Sequence, residues 1–279
     1  MNTNDNVFLL GDIADFKNKL GGMAAYLNQS PNFNIINKKK FLRKETISVK
    51  AGRQAIIIPF NIHEGLGEIY FKDYSNIKEI QLEVGGISID YIKDNNIIRS
   101  LQKLYNMKGI PFFIFKQIIP RLLFHNIRIH VELYKDDELS YDVHEYLNYN
   151  ETLDKVIFQT QFSHNENIKN RLKLYFNNTV YILLVKTEPY SKIKSFIFDN
   201  WSIHIEPNNK FKKYGYDVYY LTLDLLDENS ILKYGINLSR IDTCIIEFED
   251  NQSKNVSIHA INTNIFRTKR NMGGIAFSN

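Results

Sequence analysis

From residue 41 onward, apolar side chains tend to recur at every second position. Ile80, Leu82 and Val84 alternate with Gln81 and Glu83, while Ile127, Ile129, Val131 and Leu133 alternate with Arg128, His130 and Glu132. Successive side chains of a strand point to opposite faces, so this pattern predicts strands with one face buried and one wet. The run from Ala55 to Phe60, with Pro59 near its end, is apolar throughout and predicts a strand buried on both faces. One segment departs from the rule. Ile97, Ile98, Leu101, Leu104 and Tyr105 share a face at helical spacing, and Asp94 or Asn95 is placed to cap that helix.

Asp136 to Asn150 is polar and tyrosine-rich, and it is the expected boundary between two halves. Strand periodicity resumes at Val156, Phe158, Thr160 and Phe162, then at Leu172, Leu174 and Phe176, and in the apolar run Val180 to Val185. It continues through Phe196 and Phe198, Ile203 and Ile205, Val218 to Leu223, Ile245 to Phe248, and Val256, Ile258 and Ala260. Many short strands separated by turn signals, with one clear helix, define an all-β sandwich or barrel. Two halves of roughly 110 residues each have room for two consecutive eight-stranded jelly rolls, a double jelly roll with one short helix in the first. Pattern alone leaves other sandwiches open. The expected division is an arm at 1–40, a first jelly roll with linker at 41–150, a second at 151–268 and a tail at 269–279. Within the arm Ile13, Phe16 and Leu20 sit at helical spacing before Gly21-Gly22. The basic cluster of Lys38, Lys39, Lys40, Arg43 and Lys44 reads as a solvated edge, with lipid head groups or nucleic acid as the sharper alternative.

Composition changes this picture little. The 44% hydrophobic and 24% charged fractions of the 279 residues are those of a folded globular chain, and the net charge of +4 falls short of a dense basic nucleic-acid face. The lone cysteine, Cys244, lies in an apolar run and reads as a buried thiol, which excludes an intrachain disulfide and a multi-cysteine zinc site. Asp5, Asp12 and Asp15 interrupt any secretory-type apolar stretch at the start. The longest apolar run, Ile110 to Phe124, is broken by Pro111, Lys116, Gln117, Pro120 and Arg121 and is too short to span a bilayer.

The search for chemistry returns no catalytic, cofactor-binding or metal-ligating set. His125 and His130 are five apart in a strand region and so face opposite ways; His63, His144, His164, His204 and His259 are scattered. No nucleophile elbow, phosphate loop or dinucleotide fingerprint occurs. Asp136-Asp137-Glu138 and the group Asp224, Asp227 and Glu228 read as solvated loops, with calcium as the minority alternative. Trp201 reads as a core or interface aromatic, and sugar stacking beside Tyr219 and Tyr220 is its functional alternative.

Three stretches carry a more specific signal. Near the carboxy terminus stand Asn237-Leu238-Ser239-Arg240-Ile241-Asp242, then Ala260-Ile261-Asn262-Thr263-Asn264-Ile265-Phe266-Arg267, then Met272-Gly273-Gly274-Ile275-Ala276-Phe277-Ser278-Asn279. Earlier come Glu79 to Asp90, with Gly85-Gly86 in its middle, and Ile110-Pro111-Phe112-Phe113-Ile114-Phe115 followed by an alternating strand. These resemble, in order and spacing, the major capsid proteins of nucleocytoplasmic large DNA viruses, which are double jelly rolls. More faintly, Gly21-Gly22-Met23-Ala24-Ala25 is similar to that family's glycine-rich amino terminus.

Each motif has a physical reading as well. Gly85-Gly86 turns a strand tightly, since glycine tolerates positive φ. Arg240 and Asp242 are spaced to share a strand face and pair, and Asn262 and Asn264 share a face of the closing strand. The motif residues expected to matter for structure are Gly85, Gly86, Asp90, Pro111, Asn237, Ser239, Arg240, Asp242, Asn262, Asn264, Arg267, Gly273 and Gly274.

The resemblance implies a structural virion protein and not an enzyme. It would form pseudo-hexagonal homotrimers that tile an icosahedral shell, without a cofactor. Its expected partners are itself, other capsid proteins and an internal viral membrane, with no specific nucleic acid. Its place would be the virion, assembled in the host cytoplasm, with arm and tail as trimer clasps or membrane contacts. The alternatives are a minor capsid or membrane-shaping scaffold protein of the same fold, a jelly-roll glycan-binding module and a cupin-like metalloenzyme.

Overall fold

A computed structural model describes residues 40–58, 64–116, 118–120, 125–147, 153–207, 215–221, 235–269 and 272–276. The arm before Lys40, His63, the group Asp224, Asp227 and Glu228, and Phe277 to Asn279 lie outside the described residues. Among the described residues, the first half contributes seven strands and the second ten, three of the latter being only two or three residues long.

In the first half, β1 (Lys40–Val49), β7 (Asp137–Leu147) and β3 (Glu64–Phe71) form one antiparallel sheet with β7 in the middle. Facing it is the sheet β2 (Gly52–Ile58), β6 (Ile127–Leu133), β4 (Ile77–Val84), β5 (Ile87–Lys93), in that spatial order. Their inner faces meet in one core in which Ile56, Ile80 and Val131 pack with Ile69, Tyr141 and Val143. The alternation in β4 and β6 holds as expected. One expectation fails. As far as it is described, to Ile58, the run from Ala55 is not buried on both faces: among the described residues β2 is an edge strand paired only with β6, its burial alternates, and Ile57 is 54% exposed. Much of the polar stretch from Asp136 is itself a strand, in which β7 alternates Leu139, Tyr141 and Val143 inward with Ser140, Asp142 and His144 outward. Its hydrophilic half is the wet face of a central strand.

The helix α1 (Asn95–Leu104) stands where periodicity puts it. Asp94 caps it by accepting from the Asn96 N–H (2.9 Å), and Ile97, Ile98 and Leu101 are fully buried. Ile110 donates its N–H to Ile69 O (2.7 Å) and leads through the buried Pro111 into a 3₁₀ turn, Phe113–Lys116.

The second half has a large sheet in the order β13 (Asp217–Tyr220), β10 (Thr179–Glu188), β16 (Lys254–Lys269), β17 (Met272–Ile275). In addition β14 (Ile236–Asn237) pairs with β10, and β8 (Asp154–Ile168) pairs with β16. A smaller sheet runs β12 (Trp201–Ile203), β11 (Ile193–Phe198), β15 (Cys244–Phe248), β9 (Arg171–Lys173). Strand β10 is buried on both faces. Val180, Leu183 and Val185 face the small sheet, where they meet Phe196 and Ile246; Ile182 and Leu184 face the core shared with the first half. A bulge between Val180 and Ile182 turns Tyr181 to that shared core as well.

Cys244 is buried in the second core, and burial pushes its thiol up to about 12, so it is inert as a nucleophile at neutral pH. Trp201 is not a core residue: it lies on the edge strand β12 and is 46% exposed. Tyr219 is buried against Phe196.

Candidate functional site at the junction of the halves

The two halves meet where the edge strands β5 and β8 face each other. An exposed pair of edges would offer unpaired N–H and C=O groups to any passing strand. Here side chains satisfy them without fusing the sheets. The Gln159 amide donates to Ile89 O, and the Thr160 N–H donates to Asp90 Oδ1 (2.9 Å), which also accepts from Tyr91 N–H (2.9 Å). The Gln159 amide oxygen in turn accepts from Asn264 Nδ2 (2.9 Å), so Asp90 and Asn264 belong to one buried polar seam.

A second polar contact lies farther along. The Lys93 N–H donates to His259 Nε2 (3.3 Å), which fixes the proton of the neutral ring on Nδ1. His259 is wholly buried between the rings of Phe162 and Tyr216, and its Nδ1 has no hydrogen-bond partner among the described residues. Burial therefore holds its pKa far below the ordinary imidazole value, at about 3. Burial acts on Asp90 in the opposite sense and pushes its carboxyl up to about 8, against the pull of its backbone N–H donors. Tyr216 Oη donates to Asp94 Oδ2 (3.3 Å), so the residue that caps α1 also ties the halves together. Aromatic rings complete the junction: Phe158 of β8 lies 4.8 Å from Phe113, 5.8 Å from Tyr181 and 6.2 Å from Tyr105, centroid to centroid.

The motif glycines form a separate clasp. Gly85 and Gly86 make the β4–β5 turn at φ +59° and +84°. A Cβ on Gly85 would come within 2.6 Å of the His125 ring, whose Nδ1 lies 2.7 Å from Gly273 O on β17. The carboxy-terminal Gly273 thus reaches the first-half turn through His125, which precedes β6 and does not lie in a strand. At Gly274 φ is not positive and a Cβ would meet only Ile87 Cδ1, at 4.0 Å, so neither conformation nor space requires glycine there. Replacing Gly85 by alanine is expected to cost roughly 1–3 kcal/mol in urea unfolding, because strain and a ring clash add. Gly86→Ala meets strain alone and should cost about 1 kcal/mol.

The remaining motif residues sit elsewhere. Asn237 accepts from Ser239 N–H (3.1 Å) and caps a 3₁₀ turn, Leu238–Arg240. Ser239 Oγ accepts from Asn178 N–H (2.7 Å), and Asn262 Nδ2 reaches Asn177 O (3.4 Å), so this turn and β16 hold the 177–178 loop between them. Arg240 and Asp242 do not share a strand face: the 3₁₀ turn ends at Arg240, and both residues are exposed outside any strand. Arg267 is exposed on β16 opposite Asp154 and Gly274.

Gln159, Thr160, His125 and His259 escape a reading by motif. The available signal is position: Gln159 and Thr160 follow Val156-Ile157-Phe158, and His259 stands between Ile258 and Ala260, polar residues inside apolar runs. Among the described residues, no three His, Cys, Asp or Glu side chains gather as a metal site, and no helix is long and apolar enough to cross a membrane.

The sequence matches no protein-family model, and no curated protein matches it. Solved structures do. PBCV-1 VP54, fitted into a reconstruction of the virophage Sputnik, is similar at TM-score 0.63 and 15% identity, over 86% of this chain and 98% of that one. The major capsid protein P2 of bacteriophage PM2 is similar at 0.51 and 11%, over 82% and 100%. A chain from Sulfolobus Turreted Icosahedral Virus is similar at 0.53 and 10%, over 81% and 90%. At such identities the likeness is one of fold, and the fold is the double jelly roll.

Proposed function

We propose that the chain is a structural viral capsid protein that forms pseudo-hexagonal homotrimers and tiles an icosahedral shell. The observation that carries this reading is the pair of β-sandwich halves in one chain, joined by a buried seam. Three such chains about one axis present six similar edges, the outline a near-hexagonal lattice requires. The capsid proteins that share this fold come from PBCV-1, bacteriophage PM2 and Sulfolobus Turreted Icosahedral Virus, and they support the same reading.

In this reading residues 41–150 and 151–268 are the two jelly rolls, and the protein is a tile and not a catalyst. It works in the virion after assembly in the host cytoplasm, beside other capsid proteins. The arm at 1–40, with its basic cluster, is the segment for clasping a neighbour or touching an inner membrane. A glycan groove lined by Trp201, Tyr219 and Tyr220 is less well supported, since Tyr219 faces the core.

Light scattering on the purified protein tests the proposal. A native mass near three times 32.8 kDa is expected. A strict monomer at high concentration would exclude a self-assembling tile.

A further inference from the structure

Among the described residues a cleft of about 570 Å³ opens beside the seam, between β5, the outer part of β8, the 175–177 loop and Ile275 of β17. That volume falls among pockets that hold small molecules, roughly 300–1,000 Å³. Its rim is apolar: Ile87 is 46% and Tyr175 80% exposed, and Ile275 is half-buried beside them. Its wall is polar but uncharged. Ser88, Gln161, Ser163 and Asn177 supply hydroxyls and amides, and among the described residues no Lys, Arg, His or Glu lines it. Lys93 and Lys173 are seated over the Phe162 and Tyr175 rings, 5.2 and 5.4 Å from the centroids, and do not line the cleft. Asp90 is buried, with Oδ1 accepting from the Thr160 and Tyr91 N–H groups.

Such a wall gives nothing to balance a phosphate, a carboxylate or an ammonium group, and an unpaired charge is costly to bury. An extended peptide would need free strand edges to pair with. Beside the cleft those edges are already bridged, since the Gln159 amide donates to Ile89 O and the Thr160 N–H donates to Asp90. What remains unmet is a side-chain amide. Gln161 Oε1 is buried without a hydrogen-bond partner among the described residues, which costs free energy. A hydroxyl satisfies a side-chain amide whichever way it is turned, because it both donates and accepts. A pyranose carries such hydroxyls on its edge and an apolar C–H face that suits a tyrosine ring. We infer that the cleft binds a neutral saccharide, stacked on Tyr175 and hydrogen-bonded to Gln161. The wall comes from both halves, so the bound sugar also staples them from outside. Nothing in this depends on the capsid reading, and Trp201 on β12 has no part in it.

A printed array of neutral and acidic glycans, probed with the purified chain, tests this, followed by calorimetric titration of the best-retained saccharide in free form. Retention of neutral glycans that share one sugar is expected, with little dependence on salt. Tyr175→Ala should weaken binding by about tenfold or more, and Gln161→Leu by roughly three- to tenfold. Both variants should keep the thermal midpoint, since Tyr175 is exposed and Gln161 Oε1 gives up no partner. Trp201→Phe should bind as the unsubstituted chain does, and saturating sugar should raise the midpoint. A blank array would overturn the inference, as would retention of acidic glycans alone or binding indifferent to Tyr175→Ala. A blank array with Tyr175 nitration that slows as protein concentration rises would give the cleft to a neighbouring copy instead.

Discussion

Phe158→Ala lowers the stability of the chain by about 3–5 kcal/mol, the usual cost of removing a buried phenylalanine ring, and shifts the thermal midpoint by roughly 6–15 °C. No other single ring touches so many parts of the junction. Phe158 comes from β8 of the second half, Tyr105 and Phe113 from the end of α1 and the 3₁₀ turn of the first, and Tyr181 from the large sheet. The cavity left by alanine would lie between structures that are each held by their own sheets, so little can collapse into it. The loss should also show in the shape of the transition. With the rings in place the halves share one core and unfold together; without Phe158, calorimetry is expected to resolve two overlapping transitions. A narrow single transition at an unchanged midpoint would mean that the aromatic junction is not what couples the halves.

The second large effect is a pair of opposed pH dependences. His259 stays neutral in the folded chain down to about pH 3, whereas in the unfolded chain it takes up a proton below its ordinary value near 6.5. Its contribution to stability is therefore fully present above about 6.5 and is lost as pH falls, by about 5 kcal/mol over the whole window. Asp90 keeps its proton up to about 8 when folded but releases it above 3.8 when unfolded. Its contribution is thus present at low pH and lost as pH rises toward 8, by a similar amount. Between pH 4 and 6.5 the two slopes cancel, and the seam contributes a plateau. Single substitutions expose what the plateau conceals. Relative to the unsubstituted chain, His259→Gln should stabilise progressively as pH falls from 6.5 to 4, and Asp90→Asn progressively as pH rises from 4 to 8. Urea midpoints measured at each pH give both slopes directly. Parallel curves for the two variants would mean that neither group holds its altered protonation in the folded chain.

Much of this architecture is written locally. The half-wet strands β4 and β6, the helix α1 with its Asp94 cap, and the tight Gly85-Gly86 turn all follow from residues within one or two turns of each other. What escapes is whatever depends on a distant partner. Ala55 to Ile58 and Val180 to Val185 are equally apolar; only pairing makes β2 an edge and β10 a centre. The alternation of β7 is diluted by Tyr141 on its buried face and by charges on its wet face, which is why it reads as a boundary. The seam is the hardest part, because Gln159 and His259 look like ordinary wet-face residues until β5 lies against β8. The resemblance to capsid proteins points to Asp90, Asn264 and Gly273 but not to the side chains that join them.

The pairing of β8 with β16 also governs the order in which the chain can fold as it leaves the ribosome. Gln159 and Asn264 stand 105 residues apart, and Leu153 and Thr268 stand 115 apart. Such distant pairing is slow to form, and nothing can begin it until most of the chain has been made. The strands of the first half are complete by Leu147 and can pair early. Until β16 emerges, β5 keeps a bare edge and β8 has no partner, on a nascent chain crowded among its copies. The interval between residues 150 and 269 is therefore when this protein is most exposed to strand-swapped aggregation, and slow translation there would lengthen the danger.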